Sequence, residues 1–375
     1  MKHLSQFILE RAGMYDGLEE LVKYILFTIK ISNDYILNQP FNSDVIKEKI
    51  IVDKDHMNDL TDYNKAINLA LTTLKFTFDE LNQANIQNIF FNNLNIWVYI
   101  YDSERVKGRF GGIFYEDASK IDLKTGLLNE VNLGFLIPTS IPKSLYVKND
   151  IEYSITSDQS LVHEITHAFD YYKALLKNKK SVDIDKYNRI YNTETNSILF
   201  KQCDDLIMDV RHIFHNMVPD EVNANMAEIS AELLKFYRFR FQLFKDRLCG
   251  AREAKSLIIK DLNIINNSYK ELKLNKDLRF KLNLRSSALI DILTNIIFLK
   301  TLCKDLKSNN QSQYSNYINI IPIYYNYIHN TSLTPNKVFK ILEDWCDKIF
   351  NRIRRIFELR IMDCSDKIKE IRENE

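Results

Sequence analysis

The chain contains very few of the residues that form turns. Only 8 Gly and 6 Pro occur among 375 residues, about 4 % together, whereas average usage is roughly 12 %. Sandwiches of many short strands and low-complexity linkers need far more of both. The sequence therefore predicts an α+β protein that is predominantly helical.

Charge and hydrophobic content narrow the class of protein further. The 51 Lys and Arg residues balance 50 Asp and Glu residues, which leaves a net charge of +1. A nucleic-acid-binding surface normally shows as an excess of basic residues, and none is present. The hydrophobic content of 45 % is typical of a soluble globular protein. We therefore expect no nucleic-acid partner, and the sequence contains no indication of an oligomeric state.

Cysteine usage and the first residues indicate where the protein resides. Five cysteines occur, at positions 203, 249, 303, 346 and 364, and no two of them have CxxC spacing. This odd, scattered set predicts reduced thiols rather than a disulfide framework. Glu10 and Arg11 interrupt the apolar stretch that a signal peptide requires. No apolar run approaches the ~20 residues of a membrane span. We therefore predict a cytoplasmic protein, or one exported by a non-classical route.

Periodicity divides the chain into three regions. Helical spacing predicts a helix within residues 1–38 and a second one built on Ile67, Leu71, Leu74, Phe78 and Leu81. A small sheet follows, with strands predicted at 94–100, 111–115, 120–123 and 131–137. Beyond Ser157 helical signals dominate. The predicted regions are 1–90 (helical), 91–245 (the sheet and the helices that follow it) and 246–375 (helical C-terminal lobe), together forming one composite domain.

Three helix starts are marked by capping residues or by proline. Ser157 or Asp158 begins a helix that extends to about Leu176, and Pro219 begins one that extends to about Phe244. Thr334 is the predicted N-cap of a long C-terminal helix that has Pro335 in its first turn. Most of the second half of the chain is therefore assigned to helices.

The sequence His163-Glu164-Ile165-Thr166-His167 is an HExxH motif. On a helix this spacing brings two imidazoles one turn apart on the same face, where both can bind one Zn²⁺. Glu164 then lies beside the metal-bound water as a general base. At ~100° per residue, Asp170 shares the histidine face. Apolar residues occupy the opposite side, namely Leu161, Ile165, Ala168, Phe169, Tyr172, Leu175 and Leu176.

A catalytic zinc ion needs a third protein ligand, and the Pro219 helix offers candidates. Glu228 and Glu232 are four residues apart, so both carboxylates share one face with Asn225 and Glu221. Such a row of acids is costly to bury unless cations or a metal face it. A solvated helix face is the alternative. With an HExxH helix in the same chain, we expect Glu228 to be the third ligand.

These segments resemble known zinc peptidases. The residues HEITHAFD, His163 to Asp170, resemble the active-site helix of neprilysin-type peptidases. The segment EISAE, Glu228 to Glu232, resembles the ExxA(D/E) element of many gluzincins and is particularly similar to lethal-factor-like peptidases. The resemblance implies a zincin-like core with one zinc per chain, bound by His163, His167 and Glu228. It also implies that Glu164 is the base, and that Asp170 and Glu232 orient the ligating imidazoles.

The chain departs from these families where the oxyanion of the transition state is stabilised. Lethal-factor-like peptidases have a Tyr seven residues before the third ligand, and Glu221 stands there. Neprilysin-type peptidases have a His after the third ligand, and His329 is the only downstream histidine. His212 and His215 precede the ligand helix. These three histidines are the candidate oxyanion donors or cleft residues; core or surface histidine is the alternative for His212 and His215.

The motif and the resemblance together predict a zinc-dependent endopeptidase. Its substrate is a protein or peptide whose bond is hydrolysed by a metal-activated water with Glu164 as the base. Residues 111–115 resemble the zincin edge strand, which binds an extended peptide by β-addition; an ordinary hairpin strand is the alternative. The alternative function is a catalytically inactive zincin-like protein that acts as a binding or structural module.

Overall fold

The structure is a computed structural model, and it describes ten segments of the chain. They are 49–53, 70–79, 91–101, 111–115, 120–138, 150–176, 204–272, 278–284, 286–308 and 315–374. The chain divides into two compact units, Met1–Ser181 and Val182–Glu375. The boundary between the units lies inside the predicted region 91–245. The helix predicted within residues 1–38 lies outside the described segments.

The first unit contains a five-stranded mixed sheet. Its strands are β1 (Lys49–Asp53), β2 (Ala70–Asp79), β3 (Phe91–Tyr101), β4 (Gly111–Tyr115) and β5 (Leu128–Pro138). Their order across the sheet is β1-β2-β3-β5-β4. β3 and β5 are parallel, and every other neighbouring pair is antiparallel. The strands predicted at 94–100, 111–115 and 131–137 are therefore confirmed.

The centre of the sheet is formed by the parallel pair β3 and β5. Alternation along both strands places aliphatic and aromatic side chains on one face, where they are 0 to 1 % exposed. These side chains are Leu94, Ile96, Val98, Val131, Leu133 and Phe135. On the other face the buried Asn95 donates a hydrogen bond to Asn132 Oδ1 over 2.9 Å. That bond satisfies two amide groups that would be costly to bury alone.

The helix predicted around Ile67 to Leu81 is wrong, because residues 70–79 form strand β2. Its register sets Leu74, Phe76 and Phe78 opposite the buried residues of β3. Leu71, Leu74 and Phe78 fit helical spacing, yet Leu74, Phe76 and Phe78 also alternate with a period of two. The β-branched threonines of ALTTLKFTFD favour the strand. A short apolar run is ambiguous between the two periods, and pairing with β3 decides it.

The strand predicted at 120–123 is also wrong, because this segment is irregular and leads into a turn at 123–125. Ile121 makes one isolated bridge with Leu128. The Asp122 carboxylate then accepts hydrogen bonds from the backbone N–H of Lys124 (2.8 Å) and the Thr125 hydroxyl (3.2 Å). Gly126 adopts a φ of +72°, a conformation that glycine reaches without strain. Lys120 and Asp122 still make backbone hydrogen bonds with Asn129 and Leu127, and the Asp122 side chain forms the turn that ends this short pairing.

One described helix of the first unit follows the sheet. Helix α1 (Asp150–Leu176) ends where predicted but begins before Ser157 and Asp158. It packs against β4 and β5. The sheet and the helix that carries the HEITH motif therefore form one packed unit.

The second unit is helical throughout its described residues. Its longer helices are α2 (Asp204–His215), α3 (Pro219–Leu243), α4 (Arg247–Glu271), α6 (Ser287–Ser308), α7 (Ser315–His329) and α8 (Pro335–Glu373), with the short α5 (Leu278–Lys281) between α4 and α6. The predicted extent of α3 and the predicted start of the long helix α8 are confirmed. Thr334 occupies the N-cap position of α8, but its side chain makes no capping hydrogen bond. The predominantly helical α+β class is confirmed.

The core of the second unit lies between α3, α4, α6 and α8, which pack against one another. Gly250 permits a close approach at the start of α4. A Cβ atom on Gly250 would lie 3.1 Å from the Arg240 carbonyl oxygen and 3.1 Å from the Phe241 Cα atom, both in α3. The side chains of Leu289 and Leu293 in α6, and of Leu342 and Ile353 in α8, are fully buried. None of the described helices is long and apolar enough to cross a bilayer.

A buried carboxylate holds the connection between α4 and α6. Asp261 is 1 % exposed. It accepts hydrogen bonds from the backbone N–H of Asn283 (2.9 Å), the Asn283 side-chain amide (2.7 Å) and the backbone N–H of Leu284 (2.9 Å). Burial raises the pKa of Asp261, and these hydrogen bonds oppose the rise.

Candidate metal centre

The two histidines of the HEITH motif lie side by side on α1. The centroids of the His163 and His167 rings are 4.8 Å apart, and their planes are inclined by 75°. Both residues are half-buried. Their spacing of one helical turn places two imidazoles on the same face, as the motif predicts. Two neighbouring imidazoles on a rigid helix are a common pair of ligands for a transition metal.

The side of α1 away from the histidines packs into the first unit. Val162, Ile165 and Ala168 are 6 %, 2 % and 0 % exposed. Thr166 is fully buried, and its hydroxyl donates to the Val162 carbonyl oxygen over 2.7 Å. The predicted apolar side is therefore confirmed at its centre. It is wrong for Leu176, which is 55 % exposed because the helix ends there.

The acids of α1 differ in their exposure. Glu164 is 8 % exposed, whereas Asp170 is half-buried. Asp170 lies three residues after His167 and therefore on the same side of the helix. Glu164 follows His163 directly, so its carboxylate leaves the helix next to the histidine face. This arrangement is the one required of a base beside a metal ligand.

Two further contacts fix the C-terminal half of α1. The Tyr172 hydroxyl donates to the carbonyl oxygen of Gly126 over 3.1 Å, which ties the helix to the turn before β5. The Lys173 ammonium lies 4.2 Å from the centroid of the Phe169 ring, a cation–π contact. Both contacts are within the first unit. The Tyr172 hydrogen bond joins the helix that carries His163 and His167 to the sheet, whereas the Lys173 contact lies within the helix.

Strand β4 ends the sheet on the side where α1 packs. It pairs with β5 along Gly111–Tyr115, and it is the last strand in the order of the described sheet. An edge strand leaves one row of backbone N–H and C=O groups outside the ladder. The residues expected to form a substrate-binding edge strand thus form an edge strand beside the HEITH helix.

Helix α3 carries a row of buried carboxylates in the second unit. Glu221, Glu228 and Glu232 are 7 %, 7 % and 5 % exposed. On a helical wheel they lie within ~40° of one another. Asn225, which is 8 % exposed, borders the same row. We call these three acids the acidic stripe. The predicted common face is confirmed, and the alternative of a solvated face is wrong.

One of the three candidate cleft histidines contacts the acidic stripe. His215 Nε2 lies 3.6 Å from Glu221 Oε1. His215 ends α2, and Glu221 lies in the first turn of α3. The short connection between these helices therefore brings the imidazole to the carboxylate. The sequence contains one signal for this contact, because His215 and Glu221 stand close together in the chain, one at the end of a helix and the other at the start of the next.

The other two histidines have different surroundings. His212 is exposed, and its Nε2 atom lies 3.3 Å from the Asn216 side-chain amide. The His329 ring lies 4.3 Å from the Tyr325 ring between centroids, both on α7. These contacts join His212 to Asn216, just after α2, and His329 to a residue of its own helix.

Two arginines of α8 contact helix α3, which carries the acidic stripe. Arg360 is 8 % exposed, and its Nη2 atom donates to Ser230 Oγ over 3.2 Å. Arg352 Nη2 donates to Asn223 Oδ1 over 3.0 Å. The burial of Arg360 is indicated by helical spacing, because position 360 falls in the same buried series as Ile349, Ile353, Phe357 and Cys364.

Comparisons with known proteins gave no match, either to a protein-family model, to the curated proteins or to the solved structures.

Proposed function

We propose that this protein is a zinc-dependent endopeptidase. The observation that carries the proposal is the pair of adjacent imidazoles on α1, His163 and His167, with the shielded carboxylate of Glu164 between them in sequence. The buried acidic stripe of α3 supports it, because buried carboxylates are costly unless a cation or hydrogen-bond donors compensate them.

In this proposal His163, His167 and Glu228 hold the zinc ion. Two imidazoles and one carboxylate are the protein ligands of many catalytic zinc sites, and they leave a position open for water. Asp170 and Glu232 orient the ligating imidazoles through hydrogen bonds. Glu221 is the alternative carboxylate ligand, because it belongs to the same buried acidic stripe as Glu228.

The residues of this chain divide the chemistry among them. Bound zinc would activate a water molecule and polarise the carbonyl of the scissile peptide bond. Glu164 accepts the proton of that water and passes it to the leaving amine. The low exposure of Glu164, 8 %, limits exchange of that proton with bulk water. His215 is the candidate to stabilise the oxyanion because it contacts the stripe at Glu221.

The proposed substrate is a protein or peptide bound in an extended conformation. Strand β4 offers the backbone groups of its outer edge for β-addition, in the manner of the zincin edge strand. Gly111 and Gly112 begin this strand, and their lack of side chains allows a second backbone to approach. A zincin-like catalytic core is part of this proposal.

The first experiment measures metal content and cleavage together. Purified protein should contain about one zinc per chain and cleave a mixed peptide library, and a chelator should stop the cleavage. Glu164→Gln should retain the metal while cleavage falls by at least a thousandfold. Glu370→Gln, at an exposed glutamate of α8, is the matched control and should match the wild type in both measurements. Wild-type protein that holds zinc but cleaves nothing would favour the inactive, zincin-like binding or structural module.

A second experiment identifies the carboxylate ligand. Glu228→Gln is expected to lower zinc affinity much more than Glu221→Gln, because a ligating oxygen is lost in the first case only. Zinc affinity is measured by competition with a chromogenic chelator. The opposite ranking would assign Glu221 as the ligand and leave the proposed peptidase chemistry intact.

A further inference from the structure

We infer that Arg352 and Arg360 of α8 are positioning residues for the acidic stripe. The inference rests on the proposed function, in which a carboxylate of α3 binds zinc. Neither arginine belongs to the proposed ligand set. Both act through contacts on the opposite side of the ligand helix.

The contacts lie about two turns apart along α3. Arg352 donates to Asn223 and Arg360 donates to Ser230. Seven residues correspond to a rise of about 10.5 Å. The contacts follow the same order along both helices, so this part of α8 runs in the same direction as α3. Two hydrogen bonds at this separation fix both the axial position and the rotation of α3 relative to α8.

The two contacted residues face away from the acids. With Glu228 at zero on a helical wheel, Ser230 lies near ~200° and Asn223 near ~220°. The acidic stripe occupies ~0° to ~40°. A shift of α3 by one residue would move each carboxylate by about 1.5 Å and rotate it by about 100°. Such a shift would break both arginine contacts.

Apolar packing alone specifies this register weakly. Aliphatic side chains between helices tolerate exchange and small shifts, whereas directional hydrogen bonds to buried groups do not. Arg360 is held further by Asp363, whose Oδ2 atom accepts from Nη1 over 2.8 Å. A buried guanidinium adds little net stability, because removing it from water is costly. A role in specifying the arrangement of α3 against α8 is a reason for Arg360 to be retained.

The test compares Arg352→Met and Arg360→Met with Arg354→Met. Arg354 lies on the same helix, is exposed, and pairs with Glu358 of α8, so it is the matched control. Each buried-side variant should weaken zinc affinity about tenfold or more, the effect typical of residues that orient ligands indirectly. Arg354→Met should leave zinc affinity within twofold of the wild type. Hydrogen exchange of the metal-free protein should show faster exchange in α3 for the first two variants only.

Two further variants separate positioning from general stability. Ser230→Ala removes the acceptor of Arg360, so it should weaken zinc affinity by itself and add little in combination with Arg360→Met. Ile265→Val, a small truncation in the buried face of α4, should lower the urea midpoint without changing zinc affinity. If a methionine variant does not fold, Ser230→Ala and Asn223→Ala still test the two contacts.

The outcomes are distinct. The positioning role would be overturned if both arginine variants bound zinc as tightly as the wild type. It would also be overturned if Ile265→Val, at an equal loss of stability, lost as much zinc affinity. In either case the peptidase proposal stands. Wild-type protein that binds no zinc would overturn both. Weakened zinc binding that is confined to the α3-facing variants would support the inference.

Discussion

Asp261→Ala is expected to lower the free energy of unfolding by about 2–6 kcal/mol. The carboxylate of Asp261 accepts three hydrogen bonds where α4 meets the turn before α6. The buried N–H of Leu284 would lose its acceptor, at a cost of about 1–3 kcal/mol. The two donors of Asn283 are half-buried and reach water in part, so each contributes about 0.5–1.5 kcal/mol.

Asp261→Asn is the informative comparison. Its amide oxygen still accepts from both Asn283 donors, but its NH₂ group faces the N–H of Leu284. We therefore expect a loss of about 1–3 kcal/mol, smaller than that of the alanine variant. The shape of the side chain is unchanged, so the difference reports hydrogen bonding rather than packing.

The wild type and Asp261→Asn should also differ in their dependence on pH. Burial raises the pKa of Asp261 above its ordinary value of 3.8. The folded state therefore binds a proton more tightly than the unfolded state, and the resulting stability is present at low pH and lost as pH rises through the folded-state pKa. The destabilisation caused by Asp261→Asn should accordingly grow as pH falls from about 7 toward 4.

Urea denaturation followed by circular dichroism, at several pH values, measures these differences. All other titrating groups are the same in each variant, so their contributions cancel in the difference in unfolding free energy between variants. A stability of Asp261→Ala within about 0.5 kcal/mol of the wild type, or a larger loss for Asn than for Ala, would refute the hydrogen-bond argument. A gap between the wild type and Asp261→Asn that shrinks as pH falls would refute the assigned direction of the pKa.

Three other predictions concern single positions. Gly250→Ala should lower the free energy of unfolding, measured by urea denaturation, by about 1 kcal/mol. Crowding of the new methyl group against α3 costs about 1–3 kcal/mol, which outweighs the gain in helix propensity of at most about 1 kcal/mol. Asp246→Ala should cost about 0.5–2 kcal/mol in the same assay, since its carboxylate caps α4 by accepting from the N–H groups of Leu248 and Cys249; no measurable loss would contradict this cap. In native protein, iodoacetamide should label the exposed Cys249 at least tenfold faster than the buried Cys303, Cys346 and Cys364, as measured by mass spectrometry. Burial both shields these three thiols and raises their pKa. Equal labelling rates would contradict their burial.

Local patterns were sufficient to predict the parts of the fold that are specified locally. Strict alternation from Leu94 to Ile100 indicated β3, and the proline at position 219 marked the start of α3. β2 was mispredicted because its apolar residues satisfy two periods, and only the partner strand selects one. β1 lies in a largely polar stretch, and its pairing with β2 is set by tertiary context.

In the candidate site too, features specified within one helix were predictable, whereas contacts between helices were not. The histidine pair and the common face of the acids follow from spacing within one helix, so sequence predicted both. The contact of His215 with Glu221 joins two helices and has no periodic signature. Arg360 has the helical spacing of the apolar residues of α8 but carries a charge, so the sequence alone does not predict its burial beside Ser230.

The burial of α3 has a consequence for how its sequence can vary. From Glu221 to Leu234 every residue except Asn223 is buried, so substitutions on any side of the helix meet neighbouring groups. In α4 the buried positions recur every three or four residues, as in Ala251, Ala254 and Ile258. A scan of all single substitutions should therefore show a period of about 3.6 in α4 and an unbroken intolerant block in α3. Among homologous chains, α3 would be the segment that changes least, including positions outside the acidic stripe.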